Sequence, residues 1–339
     1  MSKTIRQSNF ELLRIVAIIM VITHHLVIKS AQTCGYTRPF SFDDDGVLGL
    51  VINSLVVGGV NIFILISGWF GIKKIGSQII RLIIDCFIYC MITNLFCIFV
   101  LGYPFSISEL LYSCNFMNNW FVFAFILFLL LSPIVERAMI NIDSKTLGYF
   151  ILLLTIVNVV FGFGVGMYKH NGYNAYNFMY VYMTGRYLRL NSQNRIYQIL
   201  SRYGFIIWIL CSIPLTGGYI FAFKVLGWSD GLSINYFGYN NPLIIISSIA
   251  FFLPFSNMRL QSNLVNIMAK GVFGIFLLHT TTLFIHYRVE IIGGWYQQYG
   301  YSSIFISALF LFVICNIITI IVEKMKSPII QYINSKIKF

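Results

Sequence analysis

Ten mostly apolar stretches recur along this chain, at roughly 9–29, 48–70, 79–101, 120–138, 147–167, 176–190, 203–223, 242–256, 271–287 and 302–323. A helix needs about 20 apolar residues to cross the hydrocarbon core of a bilayer. The sixth and eighth stretches are short, and the sixth carries Tyr176, Tyr180, Tyr182 and Tyr187. Only 10% of the 339 residues are charged, against about 25% in a soluble domain. Such a chain cannot cover its own surface in water, so its main solvent is lipid. The expected fold is all-α: a polytopic bundle of ten spans forming one transmembrane domain over 1–339, with no fused soluble domain and no internal repeat. Lys3 and Arg6, followed by an apolar run up to Ser30 and Ala31, imitate a secretory signal. Arg14, His24 and His25 interrupt that run, so it is read as a retained first helix.

Charge orients the bundle. With a cytoplasmic N-terminus, the inside segments carry Lys3, Arg6, Arg14, Lys73, Lys74, Arg81, Arg137, Lys145, Arg186, Arg189, Arg195, Arg202, Arg259, Lys270, Lys324, Lys326, Lys336 and Lys338. The outside segments carry Lys29, Arg38, Lys169, Lys224 and Arg288, so the 23 basic residues divide 18 to 5. Losing one short helix in mid-chain would exchange the later loops and spoil this asymmetry, so the positive-inside rule favours ten spans with both termini in the cytoplasm. The net charge of +12 is spread over short clusters between apolar runs rather than along one face, which argues against nucleic acid as a partner.

Cysteines add little. Cys86, Cys90 and Cys97 share one apolar run, where helix packing accounts for them, and a Cys34–Cys114 disulfide between outer loops is conceivable. The chain has no CxxC and no Cys/His cluster at zinc spacing, so no metal is expected. The outer segment GWSDGLSINYFGYNN suits either sugar stacking and hydrogen bonding or an interfacial aromatic belt with turn residues, and the belt is the preferred reading.

The first span demands more. NFELLRIVAIIMVITHHLVIK contains Glu11, Arg14, His24 and His25, and a charge at depth costs about 2.5–3.5 kcal/mol on insertion scales. At 100° per residue, Arg14 and His25 fall within about 20° of one face, roughly 16 Å apart along the axis. Glu11 sits one turn from Arg14 and can pair with it, while His24 is turned away by about 100°. Taken singly, Arg14 could snorkel to the inner surface and His25 could be a neutral packed imidazole. Their shared face argues for an acid–base group in the outer half of the helix above a fixed cation near the cytoplasm.

In these residues the chain resembles the acyltransferase 3 family of bacterial membrane proteins, whose hallmark is Arg, ten residues, then His in the first transmembrane helix. GGVNIFILISGWFGIKK at 58–74, with Asn61, Ser67 and Gly68, is similar to the second-helix signature. NNWFVFAFILFLLLSPI at 118–134, with Trp120 and Pro133, is similar to the fourth helix. GVFGIFLLHT at 271–280 is similar to a late helix ending near a histidine, here His279. The chain departs from the family in having Asn61 where many members carry Asp. It also has Lys73, Lys74, Gln78 and Arg81 where some carry Arg-x-x-Arg; an Arg-x-x-Arg does occur at Arg186 and Arg189.

The resemblance implies an acyl-CoA-dependent O-acyltransferase of the bacterial inner membrane, passing an acyl group, usually acetyl, to a hydroxyl of a cell-surface or lipid-linked glycan. His25 would be general base or transient acyl carrier, with general base preferred. Arg14 would hold the CoA end or stabilise charge on the thioester oxygen. Lys73, Lys74 and Arg81 are candidate phosphate contacts, although topology alone also explains each of them. Glu11 would orient Arg14, and Asn61, Trp120 and His279 would support the site. Ser67 could be a nucleophile, but beside Gly68 close helix packing is preferred. A glycan transporter or flippase is the competing class, although the chain lacks the paired halves common in such proteins.

Overall fold

The computed structural model describes residues 7–31, 40–164, 171–228 and 233–336. Among the described residues, eight helical stretches are long and apolar enough to cross a membrane: Ser8–Lys29, Asp44–Phe70, Ile75–Phe99, Trp120–Ile140, Ser144–Gly164, Arg195–Val225, Asn263–Thr280 and Tyr301–Pro328. The two weak windows of the sequence are the 16-residue helices Ala175–Leu190 and Pro242–Asn257. Among the described residues every apolar window is thus largely helical, and no strand forms. The molecule is a multi-pass, all-α membrane bundle.

We number the helices α1 Ser8–Lys29, α2 Asp44–Val56, α3 Gly59–Phe70, α4 Ile75–Phe99, α5 Ile107–Cys114, α6 Trp120–Ile140, α7 Ser144–Ile156, α8 Ala175–Leu190, α9 Arg195–Ile220, α10 Ser233–Tyr236, α11 Pro242–Asn257, α12 Asn263–Met268, α13 Val272–Thr280, α14 Thr282–Tyr299 and α15 Tyr301–Lys336. Short caps begin several of them. Asp43 receives the Gly46 N–H at the start of α2, and that bond, with the Ser41 hydroxyl, holds its carboxyl below the usual range. Asp143 caps α7 through the Thr146 hydroxyl and the Lys145 and Thr146 amides.

Helix α1 is the axle. It packs against α2, α3, α11, α12, α13 and α15, and most of its side chains are buried. Helices α3 and α8 approach through reciprocal glycines. A Cβ on Gly68 would stand 2.0 Å from the Tyr182 carbonyl oxygen, and one on Gly185 would stand 2.4 Å from that of Leu65. The small residue beside Ser67 is therefore a packing device, as the sequence suggests.

The structure corrects the sequence reading in four places. The ninth window, 271–287, is not one helix: the chain breaks at Thr281, in extended conformation, between α13 and α14. Arg288, assigned to an outer loop, lies on α14 at 3% exposure. Lys326, assigned to an inner loop, is also 3% exposed, because α15 runs on past residue 323. Finally, Tyr236, Phe237 and Tyr239 of the outer segment are buried rather than spread in an interfacial belt. Asn61 donates to the Tyr239 carbonyl at 3.0 Å, drawing that segment into the bundle.

Lys326 belongs to an ion network between α4 and α15. It pairs with Asp85 and, at 2.5 Å, with Glu323; Arg81 reaches Glu323 at 2.9 Å and Asp85 at 3.6 Å. Cys86, Cys90 and Cys97 are buried free thiols on α4. Cys114 is also a free thiol, and Cys34 lies outside the described residues. So do Lys3, Arg6, Arg38, Lys169 and Lys338 of the charge count.

Candidate active site

The first span brings its polar residues to three destinations. Arg14 takes a 2.7 Å ion pair from Glu11, one turn earlier, with its guanidinium 5.9 Å from the centre of the Phe70 ring. His24 turns toward α2 and meets the Asn53 side-chain oxygen at 2.6 Å. His25 faces α13, where its Nδ1 lies 3.0 Å from Nε2 of His279. The sequence turned His24 away from His25, and the helix keeps that division.

The proton positions in the histidine pair follow from one carbonyl. His279 Nδ1 lies 2.7 Å from the Ile275 carbonyl oxygen. A carbonyl can only accept, so that nitrogen carries the hydrogen and Nε2 of neutral His279 presents a lone pair. His25 must then donate through Nδ1. Its Nε2 is left as the basic nitrogen, on a ring that is only partly buried, while His279 is fully buried. A positioned imidazole with its far nitrogen hydrogen-bonded is the arrangement that general bases and acyl-accepting nucleophiles share.

The break at Thr281 serves the same pair. Ending α13 there leaves the His279 carbonyl without its usual helical donor, and Arg288 of α14 supplies one at 3.1 Å. Thr281 bonds back to the Leu277 carbonyl at 3.0 Å. His279 is thus held at its ring by Ile275 and at its backbone by Arg288.

Below the pair, a cavity of about 260 Å³ runs between α1, α3, α6 and α13. Arg14, Ser67 and Lys270 supply its polar lining; Ile18, Val21, Phe121, Phe125, Phe273 and Phe276 line the apolar part. Val21 lies one turn before His25 on α1, and Phe276 three residues before His279 on α13. The cavity therefore begins at two cations and reaches Val21 and Phe276, about one turn short of His25 and His279, which do not line it. The Ser67 hydroxyl bonds to the Phe63 carbonyl of its own helix at 3.0 Å.

The other sequence candidates fall elsewhere. Lys73 and Lys74 are exposed on the turn into α4 and do not line the cavity. Arg81 is engaged by Glu323 and Asp85. Arg189 donates to the Trp69 carbonyl at 2.7 Å, closing the end of α3. Trp120 is half-buried at the start of α6, edge-on to Tyr173 at 4.5 Å and stacked on Tyr239 at 5.8 Å. Asn61 stands beneath that aromatic group rather than at the histidines. Sequence reasoning did not select Lys270 or Arg288. The signal for Lys270 was its place immediately before GVFGIFLLHT; for Arg288 it was a lone cation inside the apolar run that continues past residue 287.

Comparison with known families gives one result: a family model described as an acyltransferase domain matches residues 7–322, and so includes every residue of the cavity and the histidine pair. No curated protein and no solved structure matches the chain.

Proposed function

From the premise that this chain belongs to the acyltransferase 3 family, we propose that it carries an acyl group, with acetyl the favoured one, from cytosolic acyl-CoA to a hydroxyl of a cell-surface or lipid-linked glycan at the bacterial inner membrane. The observation that carries this reading is the lone pair on His25 Nε2, set by His279, above a cavity whose other end holds Arg14 and Lys270. The cations suit the phosphates of CoA, and the narrow apolar part suits its extended pantetheine arm. The span of roughly 16 Å from Arg14 to His25 separates a charged end from a reacting end.

In the transfer step, His25 Nε2 takes the proton of the acceptor hydroxyl as its oxygen attacks the thioester carbonyl. The tetrahedral intermediate collapses with cleavage of the C–S bond. The imidazolium returns its proton to the departing thiolate, so that ester and free CoA are formed and His25 is regenerated. Arg14, oriented by Glu11, holds the donor from the charged end. The direct test is turnover of acetyl-CoA by the purified chain with a glycan acceptor, together with His25→Ala. Ester formation that disappears in the variant, at unchanged membrane insertion, supports the assignment. Full activity of His25→Ala overturns it.

A further inference from the structure

A second cavity, of about 340 Å³, lies between α4, α14 and α15. Its wall is almost wholly apolar, and among the described residues that line it Arg288 is the only charged one. Phe310 and Trp295 at its lining are exposed on the outside of the bundle, so the cavity opens sideways to lipid. Its inner wall includes Leu278, the neighbour of His279, and Arg288, which donates to the His279 carbonyl. The cavity and the histidine pair therefore share a wall.

Two polar groups there call for an account. An arginine facing an apolar cavity at membrane depth carries a cost of about 2.5–3.5 kcal/mol, and a guanidinium is suited to a phosphate, which it can hold through two parallel hydrogen bonds. The Ser307 hydroxyl also lines the cavity, is 2% exposed and has no hydrogen-bond partner among the described residues. Lys29, at the end of α1, lies close enough to Arg288 for their charges to interact, which extends the positive region toward His25's helix.

We propose that this cavity holds the hydrocarbon tail of a lipid-phosphate-linked glycan acceptor, with Arg288 contacting its phosphate so that the attached sugar reaches His25. The inference rests on the acyl-transfer reading above, and narrows its acceptor to a glycan still attached to its lipid carrier. An apolar chain fits the wall, a phosphate fits the one cation in it, and the shared wall places the head group on the side of the dyad. A water-soluble glycan would have no use for the cavity.

The test reads binding without chemistry. Purified full-length chain in detergent is offered a long-chain isoprenoid phosphate, the corresponding neutral alcohol, or phosphatidylglycerol, and retention is measured by native mass spectrometry. The isoprenoid phosphate should be retained at least about tenfold better than the alcohol. Arg288→Gln should lose that margin, Arg288→Lys should recover part of it, and Ile314→Trp, which fills the cavity, should weaken retention about tenfold. Thermal melting of each variant reports whether it is folded, and Ile314→Trp tests the cavity independently of the arginine. Equal retention by wild type and both disabling variants would overturn the proposal, as would phosphatidylglycerol competing as well as the isoprenoid phosphate. Retention without acyl transfer would instead count against the function proposed above and leave the lipid site standing.

Discussion

His25 and His279 meet through a single hydrogen bond of 3.0 Å, and the direction of that bond decides which nitrogen of His25 is basic. The direction comes from the Ile275 carbonyl, which fixes the tautomer of His279. Two imidazoles from distant parts of the chain thus stand in series, and in the proposed transfer His25 is the reacting one and His279 the positioning one.

Loss of the reacting imidazole should be severe. General-base catalysis contributes about 10²–10⁴-fold, so His25→Ala should lower kcat by that order while expression and insertion stay intact. A trapping experiment with radiolabelled acetyl-CoA and no acceptor separates base from carrier. Under the mechanism proposed here, wild type should show no acid-labile acyl-histidine.

His279 should be replaceable in part. His279→Phe removes the acceptor for His25 Nδ1 and should reduce kcat by about 10–100-fold, the size of effect seen when an orienting partner is lost. His279→Gln can still accept through its side-chain oxygen and should recover much of the loss. The comparison of the two kcat values, with KM for acetyl-CoA as control, separates orientation from packing.

The donor end should answer to charge. Lys270→Glu should raise KM for acetyl-CoA by about tenfold, corresponding to about 1.4 kcal/mol, with the difference shrinking as salt rises. Lys73→Glu and Lys74→Glu, on the exposed turn outside the cavity, should shift KM less. Steady-state kinetics at two ionic strengths decides between them.

The α3–α8 contact should not tolerate a methyl group. Because a Cβ on Gly68 would sit 2.0 Å from a carbonyl oxygen, Gly68→Ala must push the two helices apart, at a cost of about 1–3 kcal/mol. A fall of several degrees in Tm is expected, measured by thermal melting in detergent.

The α4–α15 ion network offers a stability test far from the histidines. Lys326→Met leaves Asp85 buried without its main partner, which should destabilise by about 3–5 kcal/mol. The double variant Asp85→Leu/Lys326→Met should recover most of that loss. Melting temperatures of the two single variants and the double form a cycle that measures the coupling.

Much of the fold could be read from hydropathy, because the apolar windows became helical, the two shortest included, although the ninth is split at Thr281. Within the first span, periodicity separated His24 from His25 and paired Glu11 with Arg14. What periodicity could not supply was tertiary partnership. His279 was visible as a buried imidazole, but its contact with His25 depends on how α1 and α13 cross. Arg288 and Lys326 were misplaced for a simpler reason: the apolar windows were closed at the first charge, whereas the helices continue through it and satisfy that charge from neighbouring elements. The aromatic segment at Tyr236–Tyr239 has the composition of a membrane-surface belt, and only the bond from Asn61 reveals that it turns inward.

The separation of His25 and His279 by 254 residues also bears on how the protein is made. The membrane receives α1 at the start of synthesis and α13 near the end. Throughout the interval a nascent chain carries Arg14, yet it has neither Lys270 nor the second imidazole that meets the first. Under the proposed function, chemistry waits until insertion is almost complete, and a chain stalled midway is an inert intermediate rather than a leaky thioesterase.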